Sequence, residues 1–209
     1  MDLAHPVRSV VPSLDGPVLA VLAGTTTPLA GREVARLVST GSRPGVQRVL
    51  KRLTAEGVVR AERRSNAVYY TGNRDHLAWP AVELLTRLRT ELLHRLTTHL
   101  EHWSVRPVTA AVFGSLARGD GSAESDIDLL LVRGEGIAPE RLLAWEQHVE
   151  TLVATAHAWT GNPVQPYDIS LAELRQHVVA GEPIVASWRR EALTLTGRNL
   201  GSLLRSLAR

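Results

Sequence analysis

Two short stretches of this chain bring chemistry-bearing residues together. Gly114-Ser115 closes an apolar run, Val108 to Phe113, and Asp126-Ile127-Asp128 opens a second one, Leu129 to Val132. A glycine at the end of a strand lets a backbone come close to a phosphate with no Cβ in the way. Ser115 offers a hydroxyl beside it, and the N–H groups that open a following helix form an anion site suited to a triphosphate. Asp126 and Asp128, two apart on a strand, point to the same face. Paired carboxylates are hard oxygen ligands for one or two Mg²⁺ ions, which bridge to phosphate oxygens, polarise an α-phosphate and activate an attacking oxygen.

Other chemistries find less support. Ser115 lacks the Gly-x-Ser-x-Gly setting of a hydrolase nucleophile and has no evident histidine partner. His99 and His102 stand at i, i+3 without a third ligand nearby, so they read as ordinary helix residues. His148, His157 and His177 are scattered and read as structural or exposed, and Trp145, Trp159 and Trp188 as core or as lining of a domain contact. With no cysteine, the chain has no disulfide scaffold, zinc finger or thiol nucleophile.

The elements that position these residues fall into three parts. At the front, apolar periodicity predicts helices over 17–23, 30–38 and 43–56, with Ser42 as N-cap and Pro44 in the first turn of the third. Val46, Val49, Leu50 and Leu53 form that helix's inner stripe. Its outer side carries Arg43, Gln47, Arg48 and Lys51. Strands over 58–63 and 67–71 then make a hairpin with Arg63 and Arg64 near its tip. Helix, helix, basic helix, hairpin is the order of a winged helix-turn-helix, and residues 49–59 resemble the recognition-helix-then-wing segment of bacterial winged-helix regulators. The basic helix would reach major-groove edges and phosphates of duplex DNA, and Arg63 and Arg64 the adjacent backbone.

The middle part, 80–103, reads as one long helix. Its stripe of Val82, Leu85, Leu88, Leu92, Leu96 and Leu100 is too wide for a solvated linker. It must pack on a domain or on a second copy, so a homodimer is expected.

The chain's 209 residues are 44% hydrophobic, with a mean hydropathy of -0.04, and fit a folded protein. No run of 18 apolar residues is present for a membrane span. Asp2, Pro6, Arg8 and Pro12 in the opening residues are unlike a secretory signal, so a cytoplasmic protein is expected. Residues 1–75 hold 11 Lys and Arg against 6 Asp and Glu, while residues 76–209 hold 13 against 15, which suggests two domains with different partners.

Gly114-Ser115-x-Ala117-Arg118-Gly119 followed by Ser125-Asp126-Ile127-Asp128-Leu129 resembles the signature of the nucleotidyltransferase superfamily related to DNA polymerase β, in its minimal nucleotidyltransferase branch. The expected fold is α+β with two domains. A winged helix-turn-helix over 1–78 is joined by a connecting helix over 79–103 to a mixed-sheet nucleotidyltransferase domain over 104–209. The resemblance implies Mg²⁺-dependent transfer of a nucleoside monophosphate from a nucleoside triphosphate to an acceptor hydroxyl, on a protein or a small molecule. Gly114, Ser115 and Arg118 would contact the triphosphate, and Asp126 and Asp128 would bind metal. Active members supply a third carboxylate from a later strand, here the stretch 163–169. Aligned on the helix that follows, the acidic position falls at Gln165, with Asp168 three residues on, so either Asp168 serves or the third ligand is missing. A transcriptional regulator with a degenerate, nucleotide-sensing transferase domain is the first alternative. An antitoxin-like enzyme modifying a partner toxin is the second.

Overall fold

The computed structural model describes residues 1–38 and 40–208. The chain separates into two compact units, one of Asp2 and Ala4–Arg89, the other of Met1, Leu3 and the described residues from Thr90 onward.

In the first unit, helices α1 (Asp15–Ala23), α2 (Gly31–Val38) and α3 (Arg43–Ala55) precede a hairpin of β2 (Val59–Arg64) and β3 (Ala67–Gly72). A two-residue strand β1 (Leu29–Ala30), not visible in the periodicity, pairs antiparallel with β3 and completes a sheet of order β1-β3-β2. Ser42 caps α3 by accepting the Gly45 N–H at 3.2 Å. Val46, Leu50 and Leu53 turn into a core with Val18, Leu22, Val34 and Tyr70. Leu37, expected on the inner face of α2, is 46% exposed. Helix α4 (Trp79–Thr86) closes the unit with the buried Trp79 ring laid on Gly72, where any side chain would overlap the indole.

The second unit is a four-stranded sheet of order β6-β5-β4-β7. Strands β4 (Thr109–Phe113), β5 (Ile127–Arg133) and β7 (Leu193–Gly197) pair antiparallel, and β6 (Val164–Ser170) lies parallel to β5. Ala110, Val112, Leu129 and Leu131 face one layer, formed with α5 (Leu88–Glu101) and α7 (Pro139–Thr160). Ala111, Leu130 and Val132 face the other, formed with α8 (Leu171–Ala180), α9 (Pro183–Glu191) and α10 (Leu200–Leu207). A strand buried on both faces cannot alternate apolar with polar, which is why residues 129–132 run unbroken.

The expected connecting helix over 79–103 is two helices in two different units. At Arg87 the backbone leaves helical geometry (φ -104°, ψ 7°), and its N–H bonds Leu84 three residues back at 3.1 Å. Trp79 and Val82 belong to the first core, and Leu92, Leu96 and Leu100 to the second. The units therefore divide at Arg89/Thr90, not at 78 and 103. Of the leucine stripe, Val82, Leu92, Leu96 and Leu100 are buried within these cores and Leu85 and Leu88 are half-buried, while the neighbouring Leu84 is 57% exposed. No described helix is long and apolar enough to cross a membrane.

Leu96→Ala should lower stability by about 2–5 kcal/mol in urea denaturation, as a buried leucine truncation does. Leu84→Ala should change it by no more than about 0.5 kcal/mol, as at an uncovered surface. A Leu84 effect as large as that of Leu96 would mean a partner covers it.

Candidate functional site

The site forms where β4 hands over to β5. Phe113 ends β4 in extended geometry, and Gly114 swings to φ +64°, the left-handed region, to start the five-residue helix α6 (Gly114–Arg118). Phe113 pairs with Asp128 across the ladder, and the Asp128 carboxylate lies over Gly114, so that a Cβ there would overlap Oδ2. Helix α6 stops at Gly119 (φ 76°), whose N–H returns to the Ser115 carbonyl at 2.9 Å.

The loop back to β5 is clasped twice. The Ser125 hydroxyl accepts the Ser122 N–H at 2.9 Å, and the Nδ2 amide of the buried Asn162 donates to the carbonyls of Ser125 at 2.9 Å and Ala123 at 3.2 Å. Asp126 is thereby delivered one residue ahead of β5, on the side of Asp128. Burial pushes the Asp128 carboxyl above the ordinary range, and the neighbouring charges of Asp126 and Glu191 push the same way, against Arg118.

Arg118 is tethered at two points. Its Nε donates to Asp120 Oδ2 at 2.9 Å and its Nη1 to Glu191 Oε2 at 3.1 Å. No local pattern in the sequence marks Asn162 or Glu191, because each acts on residues 37 or more positions away.

Of the expected carboxylates, the structure brings Asp126 and Asp128 together and leaves Asp168 elsewhere. The parallel β5–β6 register runs unbroken, with Asp128 opposite Gln165 and Leu131 opposite Asp168. Pro166 lies on the edge strand and causes no bulge. Asp168 therefore faces the other layer. There it accepts Arg133 Nη1 at 2.9 Å and the buried Trp145 Nε1 at 3.0 Å. Among the described residues, no cluster of three or more His, Cys, Asp or Glu is placed to hold a metal.

The first unit carries a second candidate surface. Arg43, Gln47, Lys51 and Arg64 line a groove of about 630 Å³ between α3 and the hairpin, joined by Arg32 from α2. The Gln47 amide lies on Gly31 and so is held against the unit. Arg64 accompanies Glu62 at 2.7 Å and stacks 5.4 Å from the Tyr69 ring centre. Arg48 and Arg63 are exposed and lie outside the groove.

Residues 96–157 match the family model described as "Nucleotidyltransferase domain". That span contains Gly114, Ser115, Arg118, Asp126 and Asp128, and ends before Gln165 and Asp168. The chain is also similar to a solved structure described as "Crystal structure of the toxin-antitoxin with AMP-PNP", at 17% identity over 56% of this chain and 80% of that one. The TM-score is 0.35, too low to bear on fold or function. No curated protein matches the chain.

Gly114→Ala should lower stability by about 1–2 kcal/mol through its left-handed backbone alone. Displacement of Asp128 should add to that loss. Gly134→Ala, with nothing within 4 Å of the added methyl, should stay within about 1 kcal/mol of the parent. Equal losses at both positions in chemical denaturation would refute the close fit of Asp128 on Gly114.

Proposed function

We propose that the second unit binds a nucleoside triphosphate with Mg²⁺ at the Gly114–Asp128 junction. The first unit, read as a winged helix-turn-helix, carries that state to duplex DNA. The chain would then be a nucleotide-responsive regulator, and nucleotidyl transfer would be slow beside nucleotide binding.

The observation that carries this reading is the pairing of Asp128 with Gln165. Asp126 and Asp128 are two close carboxylates, each unfavourable to the other's charge, which suits a hard cation arriving with phosphate oxygens. Deprotonating an acceptor hydroxyl needs a further base within reach. Gln165 is neutral, Asp168 is committed to Arg133 and Trp145 on the other face, and Glu191 is committed to Ser187 and Arg118. Faster transfer of a nucleoside monophosphate to an acceptor is the second reading, favoured by the domain match over 96–157.

For the first unit, support comes from the convergence of Arg32, Arg43, Lys51 and Arg64 on one groove. Among the described residues, no carboxylate lies within 4.0 Å of Arg43, Arg48, Lys51 or Arg63, so these cations are available to phosphates.

Thermal denaturation of the full chain tests the nucleotide site. Mg²⁺-ATP at a hundred times its dissociation constant should stabilise the wild type by about 2.7 kcal/mol. Asp126→Asn with Asp128→Asn should gain nothing. Asp168→Asn should lose about 1–3 kcal/mol of stability, as when a hydrogen bond to a charged group is broken, yet keep the full nucleotide gain. Rapid incorporation of label from α-labelled ATP would select the transferase reading instead.

DNA binding should weaken steeply with salt. Arg43→Ala with Lys51→Ala should reduce the slope of log K against log salt by about one unit per lost phosphate contact. Absence of salt-sensitive binding to any duplex would end the DNA reading.

A further inference from the structure

We propose that Glu191 is a positioning residue, which holds the Arg118 guanidinium, with Arg190 beside it, as a clamp for the triphosphate tail. The inference rests on reading the Gly114–Asp128 junction as a nucleotide site, and it assigns the group that recognises the phosphates farthest from the nucleoside.

Topology brings Glu191 there. Leu193 in β7 pairs with Val112 in β4, and the strands run antiparallel. Two residues back from Leu193 is Glu191, and two residues on from Val112 is Gly114, so the end of α9 arrives level with the glycine turn. The Glu191 and Arg118 charges both act on the Asp128 carboxyl, which places all three groups in one neighbourhood.

The carboxylate is a fixed anchor. Its side chain is 6% exposed, Ser187 Oγ donates to Oε1 at 2.6 Å, and Arg118 Nη1 donates to Oε2 at 3.1 Å. Arg190 Nη2 approaches the same Oε2 at 3.6 Å. The Ser187 hydroxyl and Arg118 hold the Glu191 carboxyl below the ordinary range, so it stays charged. Both oxygens are thus engaged by the protein's own donors. The role of Glu191 falls on the two guanidinium groups that share one oxygen.

Arg118 is 44% exposed, with Nε committed to Asp120 and Nη1 to Glu191. Among the described residues its Nη2 group has no ion-pair or hydrogen-bond partner, which leaves that end of the fork for a ligand. Planar guanidinium donors match phosphate oxygens. An arginine already ordered by carboxylates surrenders less rotamer freedom when the phosphate arrives. Asp126 and Asp128 on one side and the Arg118–Arg190 pair on the other make a negative and a positive end. A Mg²⁺-bound triphosphate would engage both ends, its cation at the carboxylates and its terminal phosphates at the guanidinium groups, and a monophosphate would not.

Calorimetry on the full chain with Mg²⁺ compares ATP with AMP. Glu191→Gln keeps the side chain's volume and removes its charge. It should weaken ATP at least tenfold and AMP less than twofold. Arg118→Ala should do the same, and the double variant should bind ATP no more weakly than Arg118→Ala alone, because Glu191 acts through Arg118. If Glu191→Gln fails to fold, the 71%-exposed Arg190 provides the test, and Arg190→Ala should weaken ATP about threefold with AMP unchanged. A Glu191→Gln protein whose ATP-to-AMP ratio matches the wild type, or which loses both ligands equally, overturns the positioning role while leaving the nucleotide site standing. A wild type that binds neither ligand overturns the nucleotide site and this inference together.

Discussion

The second unit depends on one close fit, the Asp128 carboxylate seated on the bare Cα of Gly114. Because the middle of β5 is buried on both faces, only its ends carry charge, Asp128 at the start and Arg133 at the finish, at the rim of two cores. The ladder sets Asp128 beside Phe113, so the chain leaving β4 must turn directly beneath a carboxylate. Only glycine does this at φ +64° without a clash, and the brevity of α6 follows, since Gly119 must reverse the chain to return it to β5. Asn162 and the Ser122–Ser125 clasp then fix the loop so that Asp126 joins Asp128.

Charge around this fit is arranged in opposing groups. Asp126 and Asp128 are mutually unfavourable, and the burial of Asp128 sharpens the effect. On the α9 side, the acids Asp120 and Glu191 are matched with Arg118 and Arg190. Asp168, the acid that seemed a natural third member, neutralises Arg133 and satisfies the Trp145 N–H on the far side of the sheet. A buried indole N–H left unpaired is itself costly, which gives Asp168 a structural reason to be acidic without any role in the site.

What could be read in the sequence was what is local. The Gly-Ser turn, the Asp-x-Asp strand and the order of the front helices and hairpin all lie within windows of a few to a dozen residues, and each stands where periodicity and capping residues put it. The third carboxylate was not legible, because it depends on the β5–β6 register, which no local pattern encodes. The choice between Gln165 and Asp168 turned on whether Pro166 caused a bulge, and a proline on an edge strand need not. The break of the 79–103 stretch into two helices is illegible for a similar reason. The apolar residues of the stretch keep one period across Arg87, yet belong to two cores, and periodicity does not tell which core a face will meet. Glu191 lies 73 residues from Arg118, and nothing around it hints at a site.

The neutral side chain at Gln165 also bears on how many ions the site suits. Two-ion phosphoryl-transfer sites rely on carboxylates to offset both cations while these clamp the attacking and leaving oxygens. Here the pair Asp126 and Asp128 contributes two negative charges, and the residue opposite Asp128 contributes none. In the proposed site one Mg²⁺ would balance that pair, and the phosphates would bring the remaining negative charge toward Arg118 and Arg190. A second ion on the acceptor side would face an amide in place of a carboxylate. The acceptor hydroxyl would lose its base and its Lewis acid together, while the contacts that hold the triphosphate would be untouched. On the proposed reading, binding and turnover would be separable at one position, and the register that sets Gln165 beside Asp128 would favour binding.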